Sequence, residues 1–116
     1  MQHNTDKSAE MAARDNGLIK VVDAAYTMLA SDKVLYVAPT AARAITLPNP
    51  TEWIGDVKAI YAIADGSAAP ASYNVTISAP SHVRGTFTPV VLDAGDEWTI
   101  VMSLGEAIVE VAKNHA

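Results

Sequence analysis

The chain predicts an all-β fold: a small antiparallel β-sandwich, or a jelly-roll or barrel-like domain, preceded by a short N-terminal arm. Three observations predict it. From residue 18 onward the apolar residues recur with a period of two. The apolar runs are short, rich in Val, Ile, Thr and Tyr, and separated by turn residues at roughly 8–12-residue spacing. No βαβ spacing occurs, which disfavours a parallel α/β fold.

Residues 1–17 stand apart. They are polar, charged and Ala-rich, and end at Asn16-Gly17. Asp6 or Ser8 suits the cap of a short helix through Arg14, with Gly17 as its stop. A lone helix of that length is marginal in water and persists only when docked. The expected organisation is therefore an arm over 1–17, flexible or briefly helical, and one β domain over 18–116.

The domain opens with Leu18–Val22 as a first strand and Tyr26–Leu29 as a second. Ser31-Asp32 turns the chain into Val34–Val37, Pro39–Ala42 breaks it, and Ala44–Leu47 ends at Pro48-Asn49-Pro50. Asp56–Ile63 alternates so that Val57, Ala59, Tyr61 and Ile63 share a face. A loop over Asp65–Pro70 leads to Tyr73–Ser78, where Tyr73, Val75 and Ile77 are read as facing in and Asn74, Thr76 and Ser78 out. Pro89 marks Thr86–Leu92 as an edge strand or bulge. After the turn Asp93–Asp96, the run Trp98–Leu104 puts Trp98, Ile100, Met102 and Leu104 on one face. Gly105-Glu106 then closes a hairpin with Ala107–Val111. The predicted core is Val34, Tyr36, Ile45, Leu47, Val57, Ile63, Val75, Ile77, Trp98, Ile100 and Met102.

Composition narrows the function classes. The formal net charge is −5 and the eight basic residues are scattered, so nucleic acid is not an expected partner. The longest apolar runs are only a few residues, too short for a membrane helix, and no membrane partner is expected. The first residues lack the apolar core of a secretory signal, so the expectation is synthesis in a cytoplasm. Without cysteine there is no disulfide, thiolate metal site or cysteine nucleophile. Charged residues are 18% of the chain against about 25% in an ordinary domain, which suits a surface partly covered by another subunit.

The residues that carry chemistry elsewhere are dispersed. His3, His82 and His115 lack the spacing of a metal site and read as surface histidines. Asp93, Asp96 and Glu97 surround Gly95 in a way that suits a solvated turn better than a calcium loop. The glycines form no phosphate loop, and no serine has a nucleophile-elbow context. No catalytic, metal or cofactor residue is assigned, no cofactor is expected, and the chain is not read as an enzyme. Trp53 follows a Pro-rich loop and reads equally as a partner contact or as a plug for one end of the domain. Tyr73 and Trp98 read as liners of a binding groove or, more commonly for large aromatics, as core anchors, and Tyr73 is also a candidate contact.

Taken together, several segments resemble a loose β module of bacteriophage virion proteins, found in head-decoration, head-fibre and tail-fibre proteins. They are Tyr26-Thr27-Met28, Asp32 with Val34–Val37, Ala44-Ile45-Thr46-Leu47-Pro48, Gly55 with Val57–Ile63, Asn74-Val75-Thr76-Ile77, Gly85, and Leu92–Trp98. The resemblance spans about residues 24–104. Fibre versions usually end a longer protein and carry a shaft, whereas this chain reads as free-standing. The resemblance implies a structural virion protein on the capsid surface. Such a decoration (cement) protein is a homo-oligomer, favoured as a trimer, bound to the major capsid protein and stabilising the shell. Met11, Arg14, Trp53 and Tyr73 are the candidate partner contacts. The alternative is a tail-fibre or baseplate accessory subunit that stacks sugars on Trp53 or Tyr73.

Overall fold

The computed structural model describes residues 19–63, 74–80, 84 and 86–116. The arm over 1–17 with Met11 and Arg14, and also Leu18, the 65–70 loop, Tyr73, His82 and Gly85, lie outside the described residues. The described strands are β1 (Ile19–Val22), β2 (Tyr26–Thr27), β3 (Val34–Val37), β4 (Arg43–Thr46), β5 (Val57–Ala62), β6 (Val75–Ser78), β7 (Val90–Leu92), β8 (Trp98–Ser103) and β9 (Ile108–Asn114). A 3-10 turn at Pro50–Glu52 follows β4, its entry capped by Asn49, whose side-chain oxygen accepts from the Thr51 amide at 3.2 Å.

The fold is mostly β, as expected, but the purely antiparallel expectation is corrected. The strands form two mixed sheets, of order β1-β3-β5-β8-β9 and β2-β4-β6-β7. From β1 to β6 the chain alternates between them, so each new strand lies parallel to the one two before it: Ile19 beside Val34, Val34 beside Ala59, Tyr26 beside Ile45, Ile45 beside Ile77. Parallel neighbours need a crossover connection. Here the crossover is a strand of the opposite sheet, and short links that forbid a hairpin within one sheet become natural. Antiparallel pairing appears only at the end of each sheet, in β6–β7 and in β5–β8–β9. Val90–Leu92, next to Pro89, is an edge strand as the proline foretold.

Both sheets contribute to one core. From the five-stranded sheet come Leu35, Val37, Ile60, Ala62, Val101 and Ile108; from the four-stranded sheet come Ile45, Val75, Ile77, Val90 and Leu92. Met28, Leu47 and Trp53 join from adjoining segments. Ile45, Leu47, Val75 and Ile77 are fully buried, as their alternation predicts.

The five-stranded sheet is inverted relative to expectation. Val34 and Tyr36 are only half-buried, while Leu35 and Val37 are fully buried. Val57 is 47% exposed and Ile63 half-buried, while Lys58, Ile60 and Ala62 point inward. Trp98, Ile100 and Met102 are half-buried, and Thr99, Val101 and Ser103 take the core side. The apolar alternation was real, but it marked the outer face.

Lys58 explains the inversion. Its side chain is fully buried. Its ammonium donates to the carbonyls of Leu29 (3.1 Å), Ala30 (2.9 Å) and Asp32, and lies 5.0 Å from the centre of the Trp53 ring. Three carbonyls match the three donors of an ammonium. The indole face adds a cation–π contact, and its Nε1 donates to the Pro48 carbonyl at 3.1 Å. Burial pushes the Lys58 pKa down, with Lys33 adding to the effect and Asp32 and Asp56 opposing it. The inward hydroxyls are likewise used: Ser103 Oγ donates to the Pro50 carbonyl at 2.6 Å.

Two outcomes test this register. Ile60→Ala should cost about 2–5 kcal/mol in urea unfolding, whereas Val57→Ala should stay within about 0.5 kcal/mol as a surface change; equal costs would refute the assignment. Lys58→Met should cost about 2 kcal/mol or more, because the carbonyls it caps lose their donor. An unchanged unfolding midpoint would show that the Lys58 contacts do not hold the fold.

Candidate functional site

The outer faces of the two sheets differ in chemistry. On the four-stranded sheet, pairing places Thr46 beside Thr27 and Ser78, and Thr76 between Ala44 and Val91. That face is mostly hydroxyl and suits water.

The outer face of the five-stranded sheet is apolar except for Asn114, which lies opposite Trp98 at the end of β9. β1 places Ile19 and Val21 beside Val34 and Tyr36 of β3, which neighbour Ala59 and Tyr61 of β5. β8 continues the face with Met102, Ile100 and Trp98 opposite Val57, Ala59 and Tyr61. β9 adds Val109 and Ala112 opposite Met102 and Ile100. The pairing slips by one residue between Ile100 and Val101, and this bulge leaves Val111 49% exposed. No Asp, Glu, Lys or Arg occupies these positions.

Aromatic rings occupy the middle. The Tyr36 and Tyr61 centroids are 5.8 Å apart with planes tilted by 46°, and Trp98 pairs directly with Tyr61. Between Val34, Tyr36, Ala59, Tyr61, Trp98 and Ile100 lies a shallow depression of about 270 Å³. Polar groups border it. The Tyr61 hydroxyl donates to Asp96 Oδ1 at 2.9 Å, which raises the tyrosine pKa, and just ahead of β3 and β5 Lys33 pairs with Asp56 at 2.5 Å. An apolar centre with a polar border is the composition of a protein contact surface.

Two partly buried polar clusters lie elsewhere among the described residues. Where β1, β2 and the 28–32 turn meet, Lys20 donates to the Tyr26 hydroxyl at 2.7 Å and Tyr26 to Asp32 Oδ2 at 2.5 Å, while the Leu29 amide donates to the same oxygen at 2.8 Å. Burial pushes the Asp32 pKa up, but these donors and Lys20 more than offset it and leave it lowered.

The second cluster closes the C-terminal end. Glu110 accepts from the Thr99 hydroxyl and from His115 Nε2 at 2.6 Å, and His115 Nδ1 meets the Ala116 carbonyl at 2.7 Å. The expectation of an exposed His115 is corrected: its side chain is 8% exposed. Burial pushes the His115 pKa down, but Glu110 and the Ala116 carbonyl reverse this and leave it raised. For Glu110, burial acts upward and the Thr99 and His115 hydrogen bonds prevail, leaving it lowered. The carboxylate sits between the hydroxyl and the ring, so the ring is a counter-ion here rather than a base for Thr99. A cavity of about 370 Å³ lies beside it, bounded by Thr88, Asp93, Glu110, Lys113 and His115 among others.

The remaining sequence candidates resolve differently. Trp53 is 3% exposed and packs in the core, so its reading as a partner contact is corrected in favour of the plug. Burial also removes it as a sugar-stacking platform. In the Asp93–Glu97 turn, Glu97 Oε1 accepts from the Asp93 and Ala94 amides at 2.8 and 3.2 Å, which is turn capping. Among the described residues no group of three or more His, Cys, Asp or Glu is placed to hold a metal. Met11, Arg14 and Tyr73 lie outside the described residues. Of the outer apolar face, the sequence offers only Trp98 as a groove residue; the rest of its signal is an alternation so apolar that it reads as core.

No protein-family model matches the chain, and no curated protein shows significant similarity to it.

The Glu110–His115 pair predicts a pH window. The raised histidine contributes stability that is full below 6.5 and lost as the pH rises through its folded value. The lowered glutamate contributes above 4.5 and loses this as the pH falls below that. The stability difference between wild type and His115→Gln should therefore be largest between 4.5 and 6.5 and shrink on either side. A flat difference across urea melts at several pH values would refute the pair.

Proposed function

We propose that this chain is a structural virion protein, a bacteriophage head-decoration (cement) protein that binds the head shell as an oligomer, with its two sheets packed as a sandwich. The apolar outer face of the five-stranded sheet carries the reading. It is a broad, uncharged, aromatic-centred surface of the kind used for protein contact. The resemblance of residues 24–104 to phage virion modules supports the same reading.

In this reading the β domain acts through its surfaces, and residues 1–17, with Met11 and Arg14, form an arm that orders against the shell. Many copies on a repeating lattice gain from high effective concentration, so each individual contact can be modest.

Co-sedimentation with purified phage heads tests the proposal. Full-length protein should pellet saturably with heads, and a version lacking residues 1–17 should pellet less while keeping its β circular dichroism. Absence of any head binding by the full-length chain would refute the function; equal binding by the truncated chain would refute the arm.

A further inference from the structure

We propose that the outer face of the five-stranded sheet is a homotypic interface, covered by the same face of another copy of this chain. The inference rests on the assembly reading above and names the occupant of the face.

Four observations converge on a second copy. First, β1, β3 and β5 run parallel, and purely parallel sheets are covered on both faces, so the parallel half of this mixed sheet is of the kind that expects cover on each side. The inner face has its cover in the four-stranded sheet; the outer face carries the near-continuous apolar pattern of a sheet that also expects one. Second, the residues outside the described set offer few large apolar side chains to cover it. Residues 1–18 contain only Met1, Met11 and Leu18 as large apolar side chains, residues 64–73 only Tyr73, and residues 81–85 only Val83. A second identical face supplies matching apolar area in one step.

Third, the charge distribution permits it. Each copy carries a formal charge of −5, so like copies repel except where charge is absent. The apolar face is such a place, and its flanking Lys33–Asp56 pair is already internally neutralised. Fourth, the size approaches that of a small specific interface. Five strands about 4.8 Å apart and about five residues long at about 3.4 Å each project about 400 Å² per copy, or about 800 Å² for two. Side-chain relief and the polar border raise this toward the roughly 1,200 Å² at which specific interfaces begin. Sheets stacked in this way sit about 10 Å apart, with side chains interdigitating.

The test is solution mass by light scattering together with sedimentation, at several concentrations of the full chain. Wild type should run at twice the 12.2 kDa chain mass or more. Val57→Lys and Val21→Lys place a charge on the face at positions already 47% and 44% exposed, so the fold tolerates them. Each should shift the mass toward 12.2 kDa without changing the circular dichroism. Thr76→Lys, on the hydroxyl face, should leave the wild-type mass unchanged. A monomeric wild type would overturn the inference, and so would an oligomer that survives both face substitutions. A monomer that still binds phage heads would fail this inference while sparing the function, whereas a face-dependent oligomer that ignores heads would do the reverse.

Discussion

The rest of the fold turns on how one buried cation is satisfied. Lys58 lies in the middle strand of the five-stranded sheet, fully buried, with its ammonium held by the carbonyls of Leu29, Ala30 and Asp32. An isolated ammonium in a protein interior costs several kcal/mol. This one is tolerated because every donor is matched and an aromatic face lies alongside. A slip of β5 by one residue would send Lys58 to the solvent side and Val57, Ala59 and Tyr61 into the core. It would also strip the 29–32 carbonyls of their donor. The clamp therefore fixes the register of β5, and through it the faces of β3 and β8. It also ties the turn between β2 and β3 to β5, across the intervening β3, β4 and 3-10 turn. Asp32 serves twice, since its carbonyl holds Lys58 while its carboxylate gathers Tyr26, Lys20 and the Leu29 amide.

With that register set, the two outer faces diverge. The four-stranded sheet shows water a row of Thr and Ser, the ordinary state of a sheet with one wet side. The five-stranded sheet shows Val, Ile, Met and aromatic rings. The two sheets belong to one small chain of one overall composition, so general hydrophobicity does not explain the contrast. It is specific to one face, which is why that face carries the functional reading.

The sequence revealed the place of the described strands, the edge position next to Pro89 and the final hairpin, because turn residues and β-formers act locally. Parallel pairing was hidden, since it depends on whether a short link returns the chain to the same sheet or carries it across to the other. Facing was legible where one side was clearly polar, as in Val75–Ser78, and misleading where it was not. In β5 and β8 the usual rule that Lys, Thr and Ser point outward gave the wrong side. Their polar atoms are satisfied inside by carbonyls and a carboxylate that come from distant segments. No local pattern announces those partners.

That same failure singles out the proposed contact surface. The periodicity of Trp98, Ile100 and Met102 is strong enough to be read as core, and the fold instead places those residues outside. A sequence under no demand to cover that face would be free to carry Lys or Glu there, which aids solubility and deters edge or face association. Keeping it uncharged across five strands exposes the isolated chain to nonspecific association. The inner side shows the complement: Lys58, Thr99 and Ser103 face in among the core residues, while Trp98, Ile100 and Met102 face out.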